Sequence, residues 1–123
     1  MWIDVVESGD WIRPLYDVVP SLEHIECNFM FVEEGCSSIR LRIALLVPLD
    51  HPAVRDRGSE GIRFSLVFQD VRSFRMHMVG ESIATSAELK EVDRQVVFHG
   101  YSEQVDFTIV ADRVSCVAGS YMN

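Results

Sequence analysis

The chain has 123 residues, 48% of them hydrophobic and 24% charged, and its net charge at neutral pH is −8. This length predicts one domain, residues 1–123, with a single core, and the composition excludes a disordered or low-complexity protein. A nucleic-acid-binding domain is expected to be basic, so the acidic balance argues against a nucleic-acid partner. No signal peptide is recognisable, and the nearly apolar run 43–49 is too short to cross a membrane. We therefore expect a cytoplasmic protein without a membrane partner.

The negative charge is concentrated at the amino-terminal end. Residues 1–34 hold eight acidic side chains and one basic side chain, which accounts for seven of the eight net negative charges. Charge confined to one end of a small domain repels nucleic acid and attracts a cationic partner. Aromatic side chains in the same region are candidate anchors, because they are enriched at interfaces. The candidate contact residues are Asp10, Trp11, Tyr16, Asp17, Glu23, Glu33 and Glu34.

The first predicted element is a short amphipathic helix. Apolar residues recur at three- and four-residue spacing over 11–19, behind a Ser8 or Asp10 cap and before Pro20, which is typical of a helix with one buried face. Pro14 would have to lie in its first turn. This helix would cover one end of a sheet.

From residue 25 onward, apolar and polar residues alternate, as expected for strands with one buried face. The predicted segments are 25–31, 39–45, 62–68, 74–78, 88–92, 96–98, 105–109 and 114–116. A long loop over 48–61 and a turn near Gln69–Arg72 separate some of them. A helix over 86–91 stays open as an alternative, because its residues favour helix. About seven or eight strands and one short N-terminal helix predict an α+β fold, mostly antiparallel β, curled into a sandwich or half-barrel.

The first two strands predict a hairpin with a defined register. The expected pairs are Phe31 with Ile39, Phe29 with Leu41, and Cys27 with Ile43. Residues 34–36 then form the loop, in which Gly35 can adopt positive φ. This register places Cys36 at the loop tip and Cys27 on the buried face, too far apart for a disulfide. We expect all three cysteines of the chain to be reduced.

Catalytic motifs are absent: the sequence contains no H-E-x-x-H, G-x-S-x-G, Walker loop or G-x-G-x-x-G pattern. The four histidines fall in different predicted elements without ligand-like spacing, so we expect no metal, no cofactor and no enzymatic activity. His24, between Glu23 and Glu26, is one acid/base candidate, and a turn that leads into the first strand is the favoured interpretation of this segment. Arginines on the polar parity of the strands form a basic stripe or neutralise neighbouring carboxylates; they are Arg40, Arg42, Arg63, Arg72 and Arg75.

Four stretches carry a family resemblance: Pro-Ser-Leu-Glu-His-Ile-Glu-Cys at 20–27, the alternation at 39–45, Gly-Ile-Arg-Phe-Ser-Leu-Val-Phe-Gln-Asp-Val-Arg-Ser-Phe at 61–74, and the strands at 105–118. Together they resemble the immunity protein 50 family of bacterial polymorphic toxin systems, nearly end to end. The resemblance implies an α+β fold and a non-enzymatic function, which is to bind and neutralise a toxin encoded beside it.

We therefore expect a bacterial immunity protein whose partner is a cognate toxin domain, masked at its active surface. A basic, nuclease-like toxin would suit the charge, because complementary charge accelerates association. One alternative is a small hydrolase or isomerase that uses His24 or His99 in a pocket of the curled sheet. Another is a self-associating structural module that uses unpaired strand edges. The sequence leaves the oligomeric state open.

Overall fold

The computed structural model describes residues 1–33, 35, 37–52, 59–80 and 83–122. These residues form an α-helix, a 3-10 turn (Arg13–Leu15) and six strands. The elements are α1 (Trp2–Val5), β1 (Ile25–Glu33), β2 (Ser38–Leu45), β3 (Gly61–Met78), β4 (Ser86–Val92), β5 (Gln95–Tyr101) and β6 (Val105–Met122). All neighbouring strands are antiparallel, in the order β1-β2-β3-β6-β5-β4. The predicted α+β fold with a mostly antiparallel sheet is confirmed.

The sheet curls until its two outer strands approach each other. Cys27 of β1 and Ala84, just before β4, form an antiparallel bridge in which each N–H donates to the other's carbonyl at 3.0 and 3.2 Å. Nearby, the Ala87 N–H donates to the Leu22 carbonyl at 2.7 Å. The result is a half-barrel whose edges are joined over one short stretch. No helix among the described residues is long and apolar enough to cross a membrane.

The eight predicted strand segments lie in six strands, because β3 and β6 are 18 residues long and each contains two segments. The turn predicted near Gln69–Arg72 is wrong. Instead, Asp70 adopts a positive φ of 55° and a bulge shifts the register between Val71 and Ser73. A bulge bends a strand and increases its twist without ending it, so β3 continues through its polar stretch.

The polar residues at this bend bond across the two long strands. Arg72 donates to both carboxylate oxygens of Asp112 at 2.6 and 3.0 Å, and Arg113 donates to the Gln69 side-chain oxygen at 2.8 Å. The hydrogen bonds with Arg72 lower the pKa of the Asp112 carboxyl. The polar composition of Gln69–Arg72 predicted a turn. The segment is a strand instead, because its polar side chains form hydrogen bonds with residues of β6, which are distant in sequence.

The predicted hairpin register is correct at one end only. Cys27 pairs with Ile43 as predicted, but a bulge follows at Asn28, and beyond it Phe31 pairs with Arg40. The predicted pairs of Phe31 with Ile39 and of Phe29 with Leu41 are therefore wrong, because one inserted residue reverses which face each later side chain occupies. Phe31 is 55% exposed as a result.

Residues 1–24, which we call the N-terminal layer, cover the inner face of the half-barrel. The helix predicted over 11–19 is wrong in position: the helix is α1, and only a 3-10 turn with Pro14 near its start occurs within 11–19. Proline cannot donate a helical hydrogen bond and its ring crowds the preceding turn, so a longer helix through this position is disfavoured.

Aromatic rings join the N-terminal layer to the sheet. The Trp2 ring stacks on Phe64 of β3 with centroids 5.8 Å apart, and Trp11 meets the same ring edge-on at 6.5 Å. The Trp2 indole N–H also donates to the Pro20 carbonyl at 2.8 Å. The layer thus supplies the apolar cover that a helix would otherwise provide.

The segment left open between strand and helix is the strand β4. Its Ala87 and Leu89 are buried and the residues between and after them are exposed, which is the two-residue period of a strand. Pairing with β5 along its whole length overrides the helical propensity of its residues.

Candidate partner-binding surfaces

The carboxylates of the N-terminal layer point outward, while its apolar side chains face the sheet. Arg13 is the one basic side chain in residues 1–24, and it lies 2.6 Å from Asp4 and 3.7 Å from Asp10. The hydrogen bond from Arg13 lowers the pKa of the Asp4 carboxyl. Asp17 and Glu23 are exposed and form no ion pair with any described residue. Part of the predicted acidic region is therefore an uncompensated surface.

Loop 46–52 adds a carboxylate that the sequence did not single out. The Asp17 N–H donates to the Asp50 carboxylate at 2.8 Å, and backbone bonds hold the loop in place: His51 N–H to the Leu15 carbonyl at 3.3 Å and Leu46 N–H to the His24 carbonyl at 2.9 Å. No local signal could have found Asp50, because it lies 33 residues from Asp17. We call the exposed set Asp10, Asp17, Glu23 and Asp50 the acidic surface.

The predicted aromatic anchors are placed against the core. Tyr16 is 3% exposed, its hydroxyl donates to the Val47 carbonyl at 2.7 Å, and burial raises the pKa of Tyr16 to about 12. It therefore has no surface to offer a partner. Trp11 is half-buried, and its ring lies where a side chain on Gly119 would otherwise extend.

The structure also separates Glu33 from the other predicted contact residues. Glu33 is exposed at the far end of β1, about 26 Å from Ile25 at a rise of ~3.3 Å per residue, whereas Glu23 lies just before Ile25. Glu34 and Cys36 lie outside the described residues. Of the predicted contact residues, Asp10, Asp17 and Glu23 therefore remain in the candidate site as part of the acidic surface, together with the half-buried Trp11.

A basic surface lies on the opposite side of the sheet. Arg40, Arg42 and Arg63 are exposed on β2 and β3, and the ring of Phe64 faces the N-terminal layer, so Arg63 points away from that layer. A cleft of about 340 Å³ opens here, lined by Glu26, Asn28, Arg42, Ala44, Arg63, Phe64 and Ser120. The predicted basic stripe therefore exists on these two strands, on the face opposite the N-terminal layer, with Glu26 of β1 beside it.

His24 and His99, the histidines of the hydrolase alternative, lie at separate sites on the protein surface. His24 lines an open recess of about 420 Å³ with Glu23 and Glu26, but its ring has no hydrogen-bond partner among the described residues. The His99 Nε2 atom lies 3.2 Å from Asp106 Oδ1, and the pair is exposed on β5 and β6. Within the described ranges, no three His, Cys, Asp or Glu side chains are placed to hold a metal ion.

Two cysteines, Cys27 and Cys116, are free and buried. Burial raises the pKa of the Cys27 thiol to about 12 and that of Cys116 to about 11. Both groups therefore remain protonated thiols in the folded protein at neutral pH, and protonated thiols are poor nucleophiles. The reduced state predicted for these two residues agrees with the structure.

These thiols predict slow labelling and an alkaline loss of stability. In a Cys36→Ser background, a thiol reagent at pH 8 should label Cys27 and Cys116 only on unfolding. Unfolded thiols lose their protons near pH 8.5, whereas the folded ones hold them to about pH 11 and 12. The stabilisation is thus complete below about pH 8.5 and is lost as the pH rises toward the folded values. Urea titrations at pH 8.0 and 9.5 measure this loss of stability, which should be smaller in Cys27→Ala. Labelling of folded Cys27 or Cys116 at the rate of a free thiol would contradict the prediction.

Comparison with known proteins supports the architecture. No protein-family model matches the chain, and no curated protein matches it. A crystal structure described as an uncharacterized protein from Neisseria gonorrhoeae aligns with 78% of this chain and 92% of its own, with a TM-score of 0.52 and 6% sequence identity. At this identity the likeness shows the fold alone. The chain is therefore assigned to the class of α+β domains built on a curled antiparallel sheet.

Proposed function

We propose that this protein is a cytoplasmic immunity protein that binds a basic toxin domain and masks its active surface. The observation that carries the proposal is the acidic surface, where Asp17, Glu23 and Asp50 are exposed and no described lysine or arginine forms an ion pair with them. Arg13 does not neutralise them, because it is engaged by Asp4 and Asp10. The family resemblance of the sequence points to the same function.

Core packing does not require these carboxylates. Each is exposed, and Asp17 lies close enough to Asp50 for its N–H to donate to that carboxylate. Exposed carboxylates in a protein of net charge −8 destabilise the folded state slightly by mutual repulsion. A cationic partner removes this repulsion, so the arrangement is favourable in a complex and unfavourable in the free protein.

A nuclease-like toxin fits this surface because its active site must bind phosphates with cationic side chains. Carboxylates placed against those side chains would occupy the region where the nucleic acid binds. Complementary charge also raises association rates by factors of about 10 to 10³ at low salt. Fast association is useful to an immunity protein, since the toxin must be bound before it acts.

A protection assay tests the proposal. The toxin domain encoded in the adjacent reading frame is expressed under a tight promoter, with and without this protein, and colony counts are compared. We expect survival to require this protein and to fall in the triple variant Asp10→Asn, Asp17→Asn, Glu23→Gln. The matched control neutralises three exposed carboxylates elsewhere: Glu91→Gln, Asp93→Asn, Glu103→Gln. An adjacent frame without a toxin, or full survival of cells that lack this protein, would refute the proposal.

A further inference from the structure

The second half of β3 is a sheet edge that no described strand covers on one side. Pairing with β2 ends at Gln69, apart from one bond from the Val71 N–H to the Ser37 carbonyl at 3.1 Å. From Ser73 to Met78, β6 is the one described strand that pairs with β3. The free stretch spans about 17 Å at ~3.4 Å per residue, which is the length of an average strand.

The described residues that follow β3 turn away from this edge. After Met78, the Val79 N–H donates to the Gln104 carbonyl at 2.7 Å, and Gly80, at φ 93°, lies against the Gln104 side chain. Gln104 directly precedes β6, so the turn carries the chain toward β6 and away from the free edge. Backbone N–H and C=O groups on that edge are thus available to another strand.

The side chains of the edge alternate in character between its two faces. Phe74, Met76 and Met78 lie on the inner face, since they pair with the buried Ile109, Phe107 and Val105. Met76 is 39% exposed and Met78 is 48% exposed. On the outer face, Arg75 and His77 are exposed.

The charges of the outer face indicate what kind of strand could pair with this edge. Arg75 forms no ion pair with any described residue, and it lies opposite the neutral Thr108. Asp106 lies opposite His77 but is engaged by His99 at 3.2 Å. The edge therefore carries Arg75 on its outer face and apolar side chains on its inner face, within an acidic protein.

We propose that the β3 edge binds an extended segment of a partner protein in which acidic and apolar residues alternate. The segment adds a seventh strand: its backbone pairs with residues 73–78, its carboxylates face Arg75 and His77, and its apolar side chains cover Met76 and Met78. This surface is distinct from the acidic surface, so the inference stands independently of the proposed toxin partner.

A second copy of this chain does not fit the edge. Antiparallel pairing of two β3 edges about Met76 places Arg75 opposite His77 of the other copy and leaves the two Arg75 side chains on the same outer face. Residues 73–78 of one copy offer no carboxylate to Arg75 of the other, and like charges on paired strands are destabilising. Each copy also carries a net charge of −8.

Amide NMR with a synthetic peptide tests the inference. The probe is the acetylated and amidated heptapeptide Thr-Val-Glu-Val-Glu-Val-Thr, titrated into the labelled full chain at low salt. We expect chemical-shift changes and slowed hydrogen exchange at the amides of 73–78. We expect about fivefold weaker binding to Arg75→Glu, from the loss and reversal of a cross-strand charge pair, and weaker binding to the double variant Met76→Ser, Met78→Ser.

Two controls test whether binding depends on the β3 edge and on the charge of the peptide. Arg40→Glu reverses an exposed arginine on β2, a strand paired on both sides, and should bind as the wild type does; the same peptide with lysine in place of glutamate should not bind. Absence of binding, equal binding of both peptides, or shifts located away from 73–78 would overturn the inference. A dimer in sedimentation whose 73–78 amides are already protected would also overturn it, because the occupant would be a second copy.

Discussion

Replacing Phe64 with alanine should lower the free energy of unfolding by about 3–5 kcal/mol. Phe64 is 1% exposed, and its ring contacts both tryptophans of the N-terminal layer, Trp2 by stacking and Trp11 by an edge contact. Such aromatic pairs add about 0.5–1.5 kcal/mol each beyond the area they bury. The substitution removes the contacts that hold the layer against the sheet.

Urea denaturation measures the loss, with Trp2 and Trp11 as fluorescent reporters. The matched control is Phe31→Ala, the same substitution at a residue that is 55% exposed, where we expect a change within about 0.5 kcal/mol. Equal losses in the two variants would mean that Phe64 does not join the layer to the sheet.

Neutralising three of the four carboxylates of the acidic surface should slow association with the toxin domain about tenfold at low ionic strength, the lower end of the range for electrostatic steering. The variant is Asp10→Asn, Asp17→Asn, Glu23→Gln, and stopped-flow fluorescence gives the rate. At about 0.10–0.15 M salt, interactions between exposed charges more than about 8–10 Å apart are largely screened. The wild-type rate should therefore fall as salt is added, and the variant rate should fall less.

The control for this experiment is the triple variant Glu91→Gln, Asp93→Asn, Glu103→Gln, which changes the net charge by the same amount. Its association rate should stay within about twofold of wild type, because these carboxylates lie outside the acidic surface. Equal slowing by both triple variants would assign the effect to overall charge and remove the argument for a specific surface.

The fold could be predicted from the sequence where side-chain alternation is unbroken. All eight apolar alternations fall in strands, since burial of one face imposes the two-residue period. The bulges were not predictable: nothing local marks Asn28 as an inserted residue, yet it changes the face of Phe31. The polar segment Gln69–Arg72 wrongly predicted a turn, because its side chains form hydrogen bonds with β6, about 40 residues away in sequence.

The candidate site was predictable in its charge but not in its shape. The concentration of carboxylates in residues 1–34 is a property of composition, and the outward orientation of Asp17 and Glu23 follows from the burial of their apolar neighbours. The burial of Tyr16, the distance to Glu33 and the arrival of Asp50 depend on long-range contacts. Those contacts decide which of the charges share a surface.

Hydrogen exchange of the protein alone and bound to the toxin domain tests the central claim most directly, because it locates the interface without altering a residue. We expect slowed exchange in peptides that cover 10–24 and 46–52, and unchanged exchange over 38–45, which carries Arg40 and Arg42 on the opposite face. Protection confined to 38–45 and 61–69, with 10–24 unchanged, would contradict it and would place the toxin on the basic face of the sheet.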